Sequence, residues 1–168
     1  MAKKFLIAIA AIVVVMVALI ALPGASQPAA AGIDISYERQ RMSRSGSEHV
    51  ATNNEILHIS KDGSATYSSS DPRTSSFPAE KQFSLNSEEM GSLRGLLLET
   101  GFMEIPQGDY LQVRDGAGDY TQYTLTVKTN TATKTFTWVD SDVSRVTVPA
   151  IITKVGFQLD GLIQSKTT

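Results

Sequence analysis

Hydrophobic and polar positions change their spacing several times along the chain, and each change marks an element. Ile33, Ile35 and Tyr37 alternate with Asp34, Ser36 and Glu38, the two-residue period of a strand with one face covered. Arg39 to Asn54 is mostly polar, with arginines and several serines, and reads as a loop. Glu55–Ser60 and Ala65–Ser69 flank Lys61-Asp62-Gly63-Ser64, and an Asp-Gly pair between two such runs predicts a hairpin. Ser68 to Glu80, rich in serine with two prolines, reads as a loop.

Leu85 to Gly101 has helical spacing. Met90, Leu93 and Leu97 form one stripe that Leu96 widens, and Asn86 with Glu89 forms a capping box. Gly101 stands where a helix-ending glycine belongs, and Phe102, Met103 and Ile105 are expected to pack under that end. Residues 107–120 read as a Gly- and Asp-rich loop. Tyr123, Leu125 and Val127 alternate with polar neighbours from Gln122 to Lys128. Lys134 to Val139 forms a second strand with Phe136 and Trp138 on one face, and Thr129 to Thr133 joins the two as a hairpin. Pro149 suits the first turn of a last helix, whose stripe is Ile152, Val155, Leu159 and Leu162; Gln164 to Thr168 is a polar tail.

Strand, hairpin, helix, hairpin, helix is an α+β order. The expectation is one domain over residues 32–168: a single antiparallel sheet of about four to five strands with two helices on one face. Its core should include Leu93, Leu97, Phe102, Tyr123, Leu125, Val127, Val155 and Leu159.

Residues 1–31 form a separate segment. Lys3 and Lys4 precede an unbroken apolar run from Phe5 to Leu22, which Pro23 and Gly24 end. At about 1.5 Å per residue such a helix measures roughly 27 Å, just enough to cross a bilayer core. The pattern is that of a signal peptide or a membrane anchor, with Ala29-Ala30-Ala31 as a cleavage site and Gly24 to Gly32 as a tether. Lysines on the N-terminal side alone put that end in the cytoplasm and everything after Pro23 outside, either anchored through residues 5–22 or secreted.

Composition narrows the chemistry. All 17 acidic residues and all but two of the 15 basic ones lie beyond residue 31, which leaves 13 basic against 17 acidic, a net charge of −4. No basic face for nucleic acid is available. The absence of cysteine excludes disulfides, thiolate metal sites and thiol nucleophiles. His49 and His58 are the only histidines, without the paired spacing of a zinc site, and no G-x-S-x-G elbow is present. No catalytic residue, metal or cofactor is expected. The remaining candidates are for binding: Arg39, Arg41 and Arg44, which could meet an acidic partner or a lipid headgroup, and Asp115 with Asp119, which could supply two oxygens to a calcium ion. For each, the plain alternative is a solvated surface.

ISYERQRMSRSG, FSLNSEEMGSLRGLLLETGFMEIP, DYTQYTLTVKT and TKTFTWVDSD, with the closing helix, resemble the emfourin family over most of Ile33 to Leu162. Members are small protein inhibitors of thermolysin-like metalloproteases, with related exported domains. The helix running into Gly101-Phe102 and Pro106, and the approach from Asp119 to Tyr123, carry the resemblance best. The family's Gly-Gly after the first strand is replaced by Arg41-Met42-Ser43-Arg44, and an extra hairpin precedes the helix. The resemblance implies an α+β fold and a protease as partner. The expectation is therefore a non-catalytic binding module outside the cytoplasm, protease-inhibitor-like, with a structural subunit of a membrane or cell-envelope assembly as the alternative.

Overall fold

Tyr37 has Leu57 on one side of it and Leu125 on the other, and two residues earlier Ile35 has Ile59 and Val127. Side chains alternate across a strand, so these six share one face of the sheet while Ser36, Glu38, His58, Thr124 and Thr126 share the other. The computed structural model describes residues 32–74 and 77–167, and the residues from Gly32 on form one compact unit.

The strands are β1 (Asp34–Ser45), β2 (Glu48–Ile59), β3 (Ser64–Ser70), β4 (Ala79–Ser84), β5 (Gly108–Tyr110), β6 (Tyr120–Lys128) and β7 (Thr133–Val139). They form one seven-stranded sheet in the order β4-β3-β2-β1-β6-β7-β5. The helices are α1 (Ser87–Arg94), which continues into a wider π turn over Gly95–Glu99, and α2 (Ala150–Thr167). Both give their apolar stripes to the same buried cluster as the sheet: Met90, Leu93 and Leu97 from the first, Ile152, Val155 and Leu159 from the second. Gln158 Nε2 donates to Ser92 Oγ at 2.8 Å and Lys166 pairs with Glu89, so the helices lie side by side.

This corrects the expected sheet. It has seven strands, not four or five, and it is mixed, because β5 runs parallel to β7. The additional strands lie where burial leaves no alternating pattern. β4 and β5 are the edge strands: β4 is mostly exposed, and β5 is only three residues long, with Asp109 exposed between half-buried Gly108 and Tyr110. The supposed loop from Arg39 to Asn54 is the outer half of the β1–β2 hairpin, which turns at Gly46, in the left-handed region at φ 66°. Beyond Arg39 none of the paired residues of this arm belongs to the buried cluster, so neither face is covered, and its few apolar residues, Met42, Val50 and Ala51, follow no two-residue period. The tail after Gln164 is helical to Thr167.

Asn86 caps α1 as a capping box: its side chain accepts from Glu89 N–H at 2.9 Å and its N–H donates to Glu89 Oε2 at 2.8 Å. Leu85 N–H donates to Gly63 O at 2.9 Å, which docks the helix start on the β2–β3 turn. Of the expected core, all but Tyr123 is fully buried, and Tyr123 is half-buried because it borders a groove. The signal or anchor segment lies outside the described residues; no described helix is long and apolar enough to cross a membrane.

Candidate functional site

Aromatic residues from three neighbouring strands meet where α2 crosses the sheet. Tyr123 stands opposite Arg39 on β1 and opposite Trp138 on β7. Its ring stacks on Trp138 at 5.2 Å with 11° between the planes, and on Tyr37 at 6.3 Å with 14°. Such offset stacks add about 0.5–1.5 kcal/mol per pair beyond burial and hold the rings in one orientation.

Helix α2 crosses these rings on a glycine. A Cβ at Gly156 would stand 3.0 Å from Trp138 Cζ2 and 3.5 Å from the Tyr37 hydroxyl. One turn on, Asp160 Oδ1 accepts from Tyr37 Oη at 3.0 Å and from Arg39 Nη1 at 2.9 Å. Arg39 also donates through Nε to Glu55 Oε2 at 2.8 Å. One guanidinium thus links carboxylates on β2 and α2. Burial holds the Asp160 carboxyl above the ordinary range, with Arg39 and Tyr37 drawing it part of the way back. The Tyr37 hydroxyl is pushed far up by burial and by Asp160, so it stays a donor at all ordinary pH.

Beside the stack opens a groove of about 550 Å³, between α2 and the segment 140–149. Tyr123, Trp138 and Val148 line it with Asp140 and Arg145, and Phe157 stands at its rim, 81 % exposed. The outer wall is braced. Asp140 Oδ1 accepts from Tyr123 Oη at 2.8 Å and its Oδ2 from Thr121 N–H at 2.6 Å. Arg114 N–H donates to Val143 O at 2.8 Å and Arg145 N–H to Gln112 O at 2.7 Å. A smaller cleft of about 190 Å³ lies on the other side of Tyr123, between Arg39, Arg41, Asn53, Glu55 and Thr121.

Of the candidates from sequence, Arg39 and Arg41 come together at the smaller cleft, while the others lie elsewhere. Arg44 is exposed near the hairpin turn, its Nε donating to Gly46 O at 3.2 Å. Asp119 is occupied by the β1 arm, accepting from Arg44 N–H at 3.0 Å and Ser43 Oγ at 3.2 Å. Asp115 is 97 % exposed and pairs with Arg145. The two aspartates share no partner, and among the described residues no three His, Cys, Asp or Glu side chains converge as a metal site would need.

The residues missed from sequence are Tyr37, Tyr123 and Trp138 as a stack, Asp140, Asp160, Gly156 and Phe157. Phe157 alone carried a local signal, as a large apolar residue off the stripe of its helix. Neither histidine lines the groove. His49 contacts the carbonyls of Ala117 and Gly118 at 3.2 and 3.0 Å, and His58 is exposed on the uncovered face. The two groove carboxylates spend their named contacts on tyrosines, Arg39 and a backbone amide. What the site offers is a firm, partly apolar recess with charged edges. The chain matches no protein-family model and no curated protein.

Proposed function

We propose that this protein is a non-catalytic binding module working outside the cytoplasm, with the groove between α2 and residues 140–149 as its docking surface for a protein partner. One observation carries the reading: Phe157 stands almost fully exposed at the rim of a recess whose floor is held by stacked rings. What sets this residue apart is its place beside a preformed recess, since aromatic side chains that fill or flank such pockets are the anchors that dominate protein interfaces. The placement outside the cell rests on the apolar run from Phe5 to Leu22.

The resemblance to emfourin-like inhibitors makes a thermolysin-like metalloprotease the first partner to test. The purified chain is titrated into such a protease and residual activity is measured. Stoichiometric inhibition that Phe157→Ser weakens supports the reading. An uninhibited protease, together with recovery of the full chain in a detergent-stable complex that Phe157→Ser leaves intact, favours the structural-subunit alternative.

A further inference from the structure

The groove accounts for an apolar contact, and the donors and acceptors around Tyr123 say what lies beside it. Every carboxylate lining the two clefts is already supplied with donors. Glu55 takes Arg39 Nε at 2.8 Å and Asn53 Nδ2 at 3.2 Å; Asp160 takes Arg39 and Tyr37; Asp140 takes Thr121 N–H and the Tyr123 hydroxyl. The cations are less fully used. Arg41 follows Arg39 by two residues on the same face of β1, lines the smaller cleft and is exposed. Its guanidinium makes no hydrogen bond or direct ion pair to any described residue; the Asp119 carboxylate, which already accepts from Arg44 N–H and Ser43 Oγ, is drawn down by it only from a distance. Arg145, on the groove side, is paired among the described residues with Asp115, whose carboxylate lies in water and is readily exchanged.

A guanidinium has five donors and no acceptor, and it is most complementary to a planar carboxylate held by two parallel hydrogen bonds. The spare capacity of this surface is therefore donor capacity. Tyr123 lines both recesses, so an anion on Arg41 and an apolar group in the groove would be neighbours across one ring.

Building on the groove reading, we infer that the partner presents an acidic residue close to a large apolar one, its carboxylate meeting Arg41 in the smaller cleft while the apolar side chain enters the groove beside Phe157. The remainder of the surface does not attract acids in general, since the chain is net negative. Recognition is local, and it weakens with salt.

The test selects a random displayed peptide library against the full chain in detergent, then measures affinities of enriched peptides by fluorescence anisotropy. The expected result is enrichment of peptides with Asp or Glu within a few residues of an aromatic or aliphatic side chain. Arg41→Ala should lower their affinity about tenfold, Arg41→Glu further, and Arg44→Ala, outside both clefts, should leave it unchanged; a lost charge-assisted hydrogen bond has about this size. Enriched peptides without acids that bind in a Phe157-dependent way would overturn this inference and keep the groove reading. Acidic peptides indifferent to Arg41→Ala would overturn it as well. No enrichment at all would remove both. Inorganic phosphate that shifts the Arg41 Nε–H resonance at millimolar concentration, without enrichment of acidic peptides, would assign the cleft to a small anion instead.

Discussion

Gly156 and Trp138 are in contact through an absent side chain: a Cβ on the glycine would lie 3.0 Å from the indole Cζ2. In an open helix interior, glycine to alanine gains about 1 kcal/mol. Here the indole cannot retreat, because it is buried and stacked on Tyr123. Crowding a packed ring costs about 1–3 kcal/mol, so Gly156→Ala should lower stability. Trp138 is the only tryptophan, so its fluorescence reports the displacement directly. A gain in stability with an unchanged spectrum would mean that the helix rides higher over the sheet.

Arg39 holds Asp160 one turn further along the same face of that helix, with part-buried side chains on both ends of the pair. Removing either partner takes from the other its contact across the two elements, leaving Arg39 to Glu55 and Asp160 to Tyr37, so the two losses should not add. A double-mutant cycle of Arg39→Met and Asp160→Asn in urea should give a coupling of about 0.5–3 kcal/mol. Coupling near zero would mean that Glu55 alone satisfies the guanidinium.

Alternation was readable wherever a helix covers the strand, as at Ile35 and Tyr37, Leu125 and Val127, Phe136 and Trp138. It vanished along the outer β1–β2 arm, neither face of which is covered, and there only the Ser45-Gly46 step marked the turn. At β4 and β5 the edge position removed it for the same reason. The site was less legible still. Arg39 stood out as a cation, but its partner Asp160 is 121 residues away, and the meeting of Tyr37, Tyr123 and Trp138 depends on the register of three strands.

The Asp160 carboxyl is raised by burial, which gives its pH effect a definite sign. Between the ordinary aspartate value, about 4, and the raised one, the folded protein holds this proton more tightly than the unfolded chain. Its contribution to stability should fall as pH rises through that window and level off above it. Asp160→Asn should remove that slope in urea titrations. Glu89 behaves oppositely: Lys166 and the Asn86 N–H lower its carboxyl, so its contribution is lost as pH falls through that lowered value. Carboxyl carbon shifts by NMR should place Asp160 above and Glu89 below their ordinary midpoints. Asp160 titrating at or below the usual value would show that Arg39 and Tyr37 outweigh burial.

The π turn after α1 decides which of three consecutive leucines faces the core. Leu96 and Leu97 are buried, with Leu97 fully so, while Leu98 is 39 % exposed. Thr100 Oγ1 donates to Leu96 O and helps close the wide turn. Leu97→Ala should therefore cost about 2–5 kcal/mol, the range for emptying a well-packed leucine site. Leu98→Ala should stay within about 0.5 kcal/mol, as most surface changes do. Denaturant melts of the two variants check the frame directly. Equal losses at both positions, or a larger loss at Leu98, would mean that the chain leaves Arg94 with a different helical pitch and turns another leucine inward.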